Sequence, residues 1–127
     1  MRSVLDTSVL LGPAPNPIDG QLAISSASLA ELHFGILIAR SEPVRAERLR
    51  RLGLIERSFE TLPMDAAVAR QYGRLAAAVA SIGRQPRARV MDLLIAATAA
   101  AHGARLYTRN AADLSGLEDL VEIVAIS

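Results

Sequence analysis

Residues 91–102, Met-Asp-Leu-Leu-Ile-Ala-Ala-Thr-Ala-Ala-Ala-His, read as a helix that is apolar on every side apart from Asp92 near its start. A helix without a polar face has no side to give to water, so it must be packed all round. At 1.5 Å per residue it is ~18 Å long, enough to cross a small sheet. Gly103 stops it in the manner of a C-terminal glycine, and residues 105–108 follow at once as a short strand. Whatever else the chain forms must enclose this segment.

The remaining residues supply alternating strands and helices. Residues 3–5 predict a buried strand that ends in Asp6-Thr7-Ser8, residue types that favour turns and caps. Three prolines at alternate positions make residues 12–17 a loop. A second strand over 22–25 leads into a helix from Ser28 to about Arg40. Pro43 opens a charged helix whose stripe of Val44, Leu49, Leu52 and Ile55 runs between arginines and glutamates, with a solvated polar face over Arg45 to Arg57. Residues 61–64 are a short strand or extended link, and Asp65 caps a helix that runs through Val79 and ends at Gly83. A connecting loop over 84–90, a helical turn over 110–114 and a last strand over 120–126 complete the pattern. Alternation of this kind predicts an α/β fold with a mostly parallel central sheet and helices on both faces, in one domain spanning residues 1–127.

Composition removes several functions. The chain has no Cys, so a disulfide scaffold, a cysteine zinc site and a thiol nucleophile are excluded. Its 14 basic residues, all Arg, stand against 13 acidic ones, so no global field favours nucleic acid and any such binding is local. No uncharged apolar run approaches the ~18 residues of a membrane span, and no N-terminal signal is visible. A cytoplasmic protein is expected.

The acidic residues carry the chemistry. Asp6, Asp92 and Asp113 lie beside apolar elements, where an unpaired carboxylate is costly to desolvate. In parallel α/β sheets the ligand crevice lies outside the C-terminal ends of the strands. Asp6 ends the first strand, Glu31 falls in the first turn of the helix after the second, and Asp113 follows the 105–108 strand by five residues. Asp92 starts a helix antiparallel to its strand, which brings it to the same edge. Four carboxylates in one crevice repel one another unless protons or cations intervene, and an all-oxygen set suits Mg²⁺ or Mn²⁺ better than Zn²⁺.

Asp6-Thr7-Ser8, Ser28-Leu29-Ala30-Glu31-Leu32, Asp92-Leu93-Leu94-Ile95-Ala96-Ala97-Thr98-Ala99 and Thr108-Arg109-Asn110-Ala111-Ala112-Asp113 together resemble the acidic motifs of PIN-domain nucleases, in matching order and spacing. The chain's size is similar to that of the VapC-like ribonuclease toxins of type II toxin–antitoxin systems. The resemblance implies a three-layer α/β/α sandwich, Mg²⁺- or Mn²⁺-dependent cleavage of RNA by metal-activated water, and inhibition by a cognate antitoxin. It makes Asp6, Glu31, Asp92 and Asp113 the catalytic quartet, with Asp6 and Asp92 the direct metal ligands and Ser8 and Asn110 in support. It also implies a homodimer and a clamp for the antitoxin between helices 29–40 and 44–59. One stretch departs from the family: Arg84-Gln85-Pro86-Arg87-Ala88-Arg89 replaces a small, Gly-containing approach to the third acidic residue. Arg84, Arg87, Arg89 and Arg109 are therefore candidate contacts to RNA phosphates or to an acidic antitoxin segment. The Pro-rich stretch also predicts that a first helix is reduced to a turn.

Plainer readings stand beside these. Ser28-x-x-Glu31 is also a capping box, and Asp92 and Asp113 occupy positions where capping is ordinary. Arg109 is equally placed for an ion pair with a carboxylate. His33 and His102 are expected to have no catalytic role. A non-catalytic binding module on the same fold, recognising a basic peptide or RNA, is the alternative function. A receiver-like phosphoacceptor domain would want a Lys near its last strand, and the chain has none.

Overall fold

A computed structural model describes residues 2–127. Five strands, β1 (Arg2–Leu5), β2 (Gln21–Ser25), β3 (Glu60–Leu62), β4 (Arg105–Thr108) and β5 (Ile123–Ala125), form one sheet in the order β3-β2-β1-β4-β5. Every pairing is parallel. Helices α1 (Thr7–Leu11), α2 (Ser26–Leu37), α3 (Glu42–Ser58), α4 (Ala66–Ser81) and α5 (Val90–Ala101) cover it.

The pleat sends successive side chains to opposite faces. Val4, Ala23, Leu62 and Leu106 join Val68, Leu75, Leu93 and Ile95 of α4 and α5 in one core. Their neighbours Leu5, Ile24 and Tyr107 join Val9, Leu32, Ile36, Leu52 and Ile55 of α1, α2 and α3 in the other. This is the expected α/β/α sandwich, and burial on both faces explains why the central strands read as continuous apolar runs. Helix α5 packs against α4, α2, β2 and β4, which buries Leu93 and the run Ile95 to Ala99, while Val90 and Asp92 at its start are exposed. Gly103 follows it at φ +60°, with Gly103 N–H on Ala100 O and Ala104 N–H on Ala99 O closing the helix end.

Several elements differ from the sequence reading. The stretch after Asp6 is a five-residue helix, because the Asp6 side chain accepts from Val9 N and so caps it. Helix α2 starts at Ser26 because Ser25, not Ser28, is its cap, accepting from Ala27 N. It ends at Leu37, where α3 takes over its free carbonyls: Arg45 donates to Ala39 O and Ile36 O, and Arg48 to Gly35 O. Arg51 does the same for Leu11 O at the end of α1. These three arginines thus act as helix-end cations from within a face that is solvated as expected, with Arg48 exposed and Arg45 and Arg51 half-buried. Only Leu52 and Ile55 of the α3 stripe are buried; Val44 and Leu49 are exposed, since α3 lies outermost against α2. The 84–90 loop contains a 3-10 helix, Pro86–Arg89, and the last strand shortens to Ile123–Ala125.

Arg109 closes the far end of the sheet. Its guanidinium donates to Pro13 O and to Ser127 O, tying the Pro-rich loop to the last residue. Gly12 leaves room for it: a Cβ there would lie 2.6 Å from Arg109 Nε and 3.2 Å from Ser8 O. Gly12→Ala should therefore destabilise the protein by about 1–2 kcal/mol through overpacking. Chemical denaturation of G12A, R109A and the double variant checks this, because the G12A cost should shrink once Arg109 is gone. Strictly additive costs would contradict the contact.

Candidate functional site

Chain order runs from β1 outward through β2 and β3, then returns to β4 on the other side of β1. The crevice of such a sheet opens at that reversal, outside the C-terminal ends of β1 and β4. Asp6 N–H donates to Tyr107 O at 3.1 Å, which extends the β1–β4 pairing by one residue and fixes Asp6 at the sheet's limit. Its Oδ1 accepts from Ser8 Oγ at 2.5 Å and from Val9 N at 3.2 Å. Ser8 Oγ in turn accepts from Arg109 N at 3.0 Å, linking the residues after β1 to those after β4.

Glu31 lies six residues into α2, a turn further along than the sequence reading placed it. It is not part of a capping box, because Ser25 caps the helix and Ser28 is buried within it. Its Oε1 instead accepts from Thr7 Oγ1 at 2.6 Å, with Ser28 Oγ 3.1 Å from the same hydroxyl. Asp92 is in the first turn of α5, which has no side-chain cap bond. Asp113 sits in the 3-10 helix Ala111–Leu114, with Arg89 Nη1 3.4 Å from its Oδ1.

All four carboxylates line a single cavity of about 150 Å³, together with Thr7, Ser8, Thr108 and Asn110, over a floor of Ile95, Leu106 and Leu114. The Asp92 pKa is raised, first by burial, then by the negative charges of Glu31, Asp6 and Asp113, and Arg89 opposes the rise. A carboxyl so placed is stabilised by a cation. The donor set is all oxygen, the chemistry that Mg²⁺ and Mn²⁺ prefer. Among the described residues, no three acidic or histidine side chains are drawn together closely enough to enclose an ion.

The other candidates are distributed unevenly. Asn110 lines the cavity, its N–H on Thr108 Oγ1 at 3.0 Å. Arg84 reaches Asp113 O at 3.5 Å, and Arg87 is exposed. Arg109, bound to main-chain oxygens of Pro13 and Ser127, is absent from the cavity wall and pairs with none of the four site carboxylates. His102 accepts from Arg2 at the opposite edge of the sheet. Sequence reasoning missed Thr7 and Thr108 as residues of the site, although both lie inside the motifs that drew attention to their acidic neighbours. It also missed Thr98, whose hydroxyl donates to Leu94 O and meets Ser25 Oγ at 3.1 Å, joining α5 to the start of α2. A lone hydroxyl in an apolar helix was its signal.

The fold, the edge and the four carboxylates define a class. Residues 3–115, which include all four, match the PIN domain family model, and the chain belongs to that family. It is similar to Ribonuclease VapC5 of Mycobacterium tuberculosis, 36% identical over 97% of this chain and 94% of the relative. Ribonuclease VapC4 of the same organism is 32% identical over 98% and 97%. The crystal structure of VapBC-5 from M. tuberculosis, a member of the VapBC family of toxin-antitoxin systems, superposes with a TM-score of 0.85, covering 98% of each chain at 36% identity.

The raised Asp92 pKa gives a stability prediction. A carboxyl whose pKa is higher folded than unfolded favours folding only while protonated, so its contribution is lost as pH rises through the folded value. Asp92→Asn should therefore raise the Tm of the metal-free protein at neutral pH. The gain should fade as pH falls towards the ordinary value of 3.8. Thermal melts across pH check this; a variant less stable at pH 7 would contradict it.

Proposed function

We propose that the chain is a Mg²⁺- or Mn²⁺-dependent endoribonuclease that acts as the toxin of a type II toxin–antitoxin module in the cytoplasm. The observation that carries this reading is the meeting of Asp6, Glu31, Asp92 and Asp113 in one cavity at the C-terminal edge of the sheet. Similarity to relatives named ribonucleases supports the RNA substrate.

Asp6 and Asp92 would hold the ion, and Glu31 and Asp113 would complete its surroundings directly or through water. Held there, such an ion would supply a nucleophilic water at neutral pH and would offset charge on the scissile phosphate. Ser8 fixes the rotamer of Asp6 by donating to Oδ1, which leaves the second oxygen of that carboxylate for the ion. Thr7 fixes Glu31 in the same way. Partners of this kind orient ligands, and their loss typically costs about 10–100-fold. Asn110, which also lines the cavity, would be a supporting residue. The products expected are 5′-phosphate and 3′-hydroxyl ends.

A second groove supports an antitoxin partner. Leu11, Leu32, Phe34, Arg48 and Leu52 line an apolar cavity of about 370 Å³ between α2 and α3. Thr7 and Glu31 line both this groove and the carboxylate cavity, so a segment seated in one reaches the other. Phe34 and Leu37 stand 63% and 77% exposed beside it, as an apolar face awaiting a partner does. Homodimerisation within the toxin–antitoxin complex rests on family resemblance.

Purified protein, free of antitoxin, should cut discrete sites in a cellular RNA pool with Mg²⁺ or Mn²⁺. Sequencing of new 5′-phosphate ends locates them. Cleavage should fall by at least about 100-fold in Asp6→Asn and Asp92→Asn and by about 10–100-fold in Thr7→Val, with EDTA abolishing it. No cleavage by folded protein would favour the binding module instead.

A further inference from the structure

We propose that Arg89 is a built-in counter-ion of the acidic cavity, which occupies Asp113 in the metal-free protein and competes there with the divalent cation. The proposal rests on the metal-centre reading above and deepens it. Two observations converge on Arg89. Its guanidinium lies 3.4 Å from Asp113 Oδ1 and is only 26% exposed, against 51% for Asp113. And no other Arg of the 84–89 stretch is aimed at a carboxylate: Arg84 meets only the backbone oxygen of Asp113, while Arg87 is exposed.

The local fold explains the aim. Pro86 starts the 3-10 helix, whose last residue, Arg89, immediately precedes α5 and hence stands three positions before Asp92. Arg89 therefore stands at the start of the helix that brings Asp92 to the cavity, and it meets the cavity through Asp113. Arg89 is the N-cap residue of α5, but its side chain makes no capping hydrogen bond and is left to meet Asp113. Four carboxylates with one fixed cation form a less repulsive metal-free state than four carboxylates alone. A divalent ion near Asp113 meets that positive charge and must displace or tolerate it. Displaced, the guanidinium stands at the rim with five donors suited to a phosphate.

Mn²⁺ titration by calorimetry separates the possibilities, using wild type, Arg89→Gln, Arg89→Lys, Arg87→Gln and Asp92→Asn. Removing the competing charge should tighten Mn²⁺ binding by about three- to tenfold in Arg89→Gln, the scale of a partly exposed ion pair. Metal-free Tm should fall in the same variant, while the Tm rise on adding Mn²⁺ should grow. Arg89→Lys and Arg87→Gln should stay near wild type, and added salt should narrow the Arg89→Gln difference. Arg89→Met, which keeps the apolar stem, replaces Arg89→Gln if the latter does not fold. Unchanged or weaker binding in Arg89→Gln, with wild-type binding still lost in Asp92→Asn, overturns the counter-ion role and leaves the metal centre standing. Mn²⁺ binding that ignores Asp92, or no binding at all, overturns both.

Discussion

Parallel pairing of β1 with β4 places two chain segments that are a hundred residues apart side by side at the limit of the sheet, and each leaves it with acidic residues. Asp6 is locked there by its N–H on Tyr107 O, and the segment after β4 by Arg109 N–H on Ser8 Oγ. Everything else in the site is built around this seam. Helix α5, buried through its middle, brings Asp92 to it at its start, and α2 brings Glu31. Burial first, and then the negative charge of its three neighbours, raises the pKa of Asp92.

Hydroxyl groups make this tolerable. Ser8 on Asp6, Thr7 on Glu31 and Thr98 with Ser25 each replace a lost water contact with a fixed one. The first two set carboxylate rotamers; the third sets the spacing of the two helices that carry Glu31 and Asp92. Arg45, Arg48 and Arg51 then close the ends of α1 and α2, so the helices bordering the second groove are held by cations on their carbonyls. Thr7 and Glu31 line both cavities, so whatever fills the groove touches side chains that also border the carboxylates.

The layered fold and the parallel sheet were legible because each rests on local signals: apolar runs, Gly103 after α5, Asp65 before α4. The edge occupied by the acidic residues followed from topology. What escaped was set by contacts distant in sequence. Ser25 outcompeted Ser28 as a cap because Thr98, on another helix, meets it. Helix α2 stopped early because arginines of α3 reached its carbonyls. Arg109 looked like a crevice residue because it lies between a strand end and Asp113, but its long side chain runs to Pro13 and Ser127. Pattern reading places Cα atoms on an edge; it does not direct a flexible side chain.

The central claim is that the seam between β1 and β4 is a divalent-metal centre. Anomalous diffraction from crystals soaked in Mn²⁺ tests it most directly. The account predicts one or two peaks in the carboxylate cavity, with oxygens of Asp6 and Asp92 at about 2.0–2.2 Å, close to the distances of hard octahedral ions. A cavity without a peak at saturating Mn²⁺, or an ion bound elsewhere while Asp6 and Asp92 stay unliganded, would contradict it.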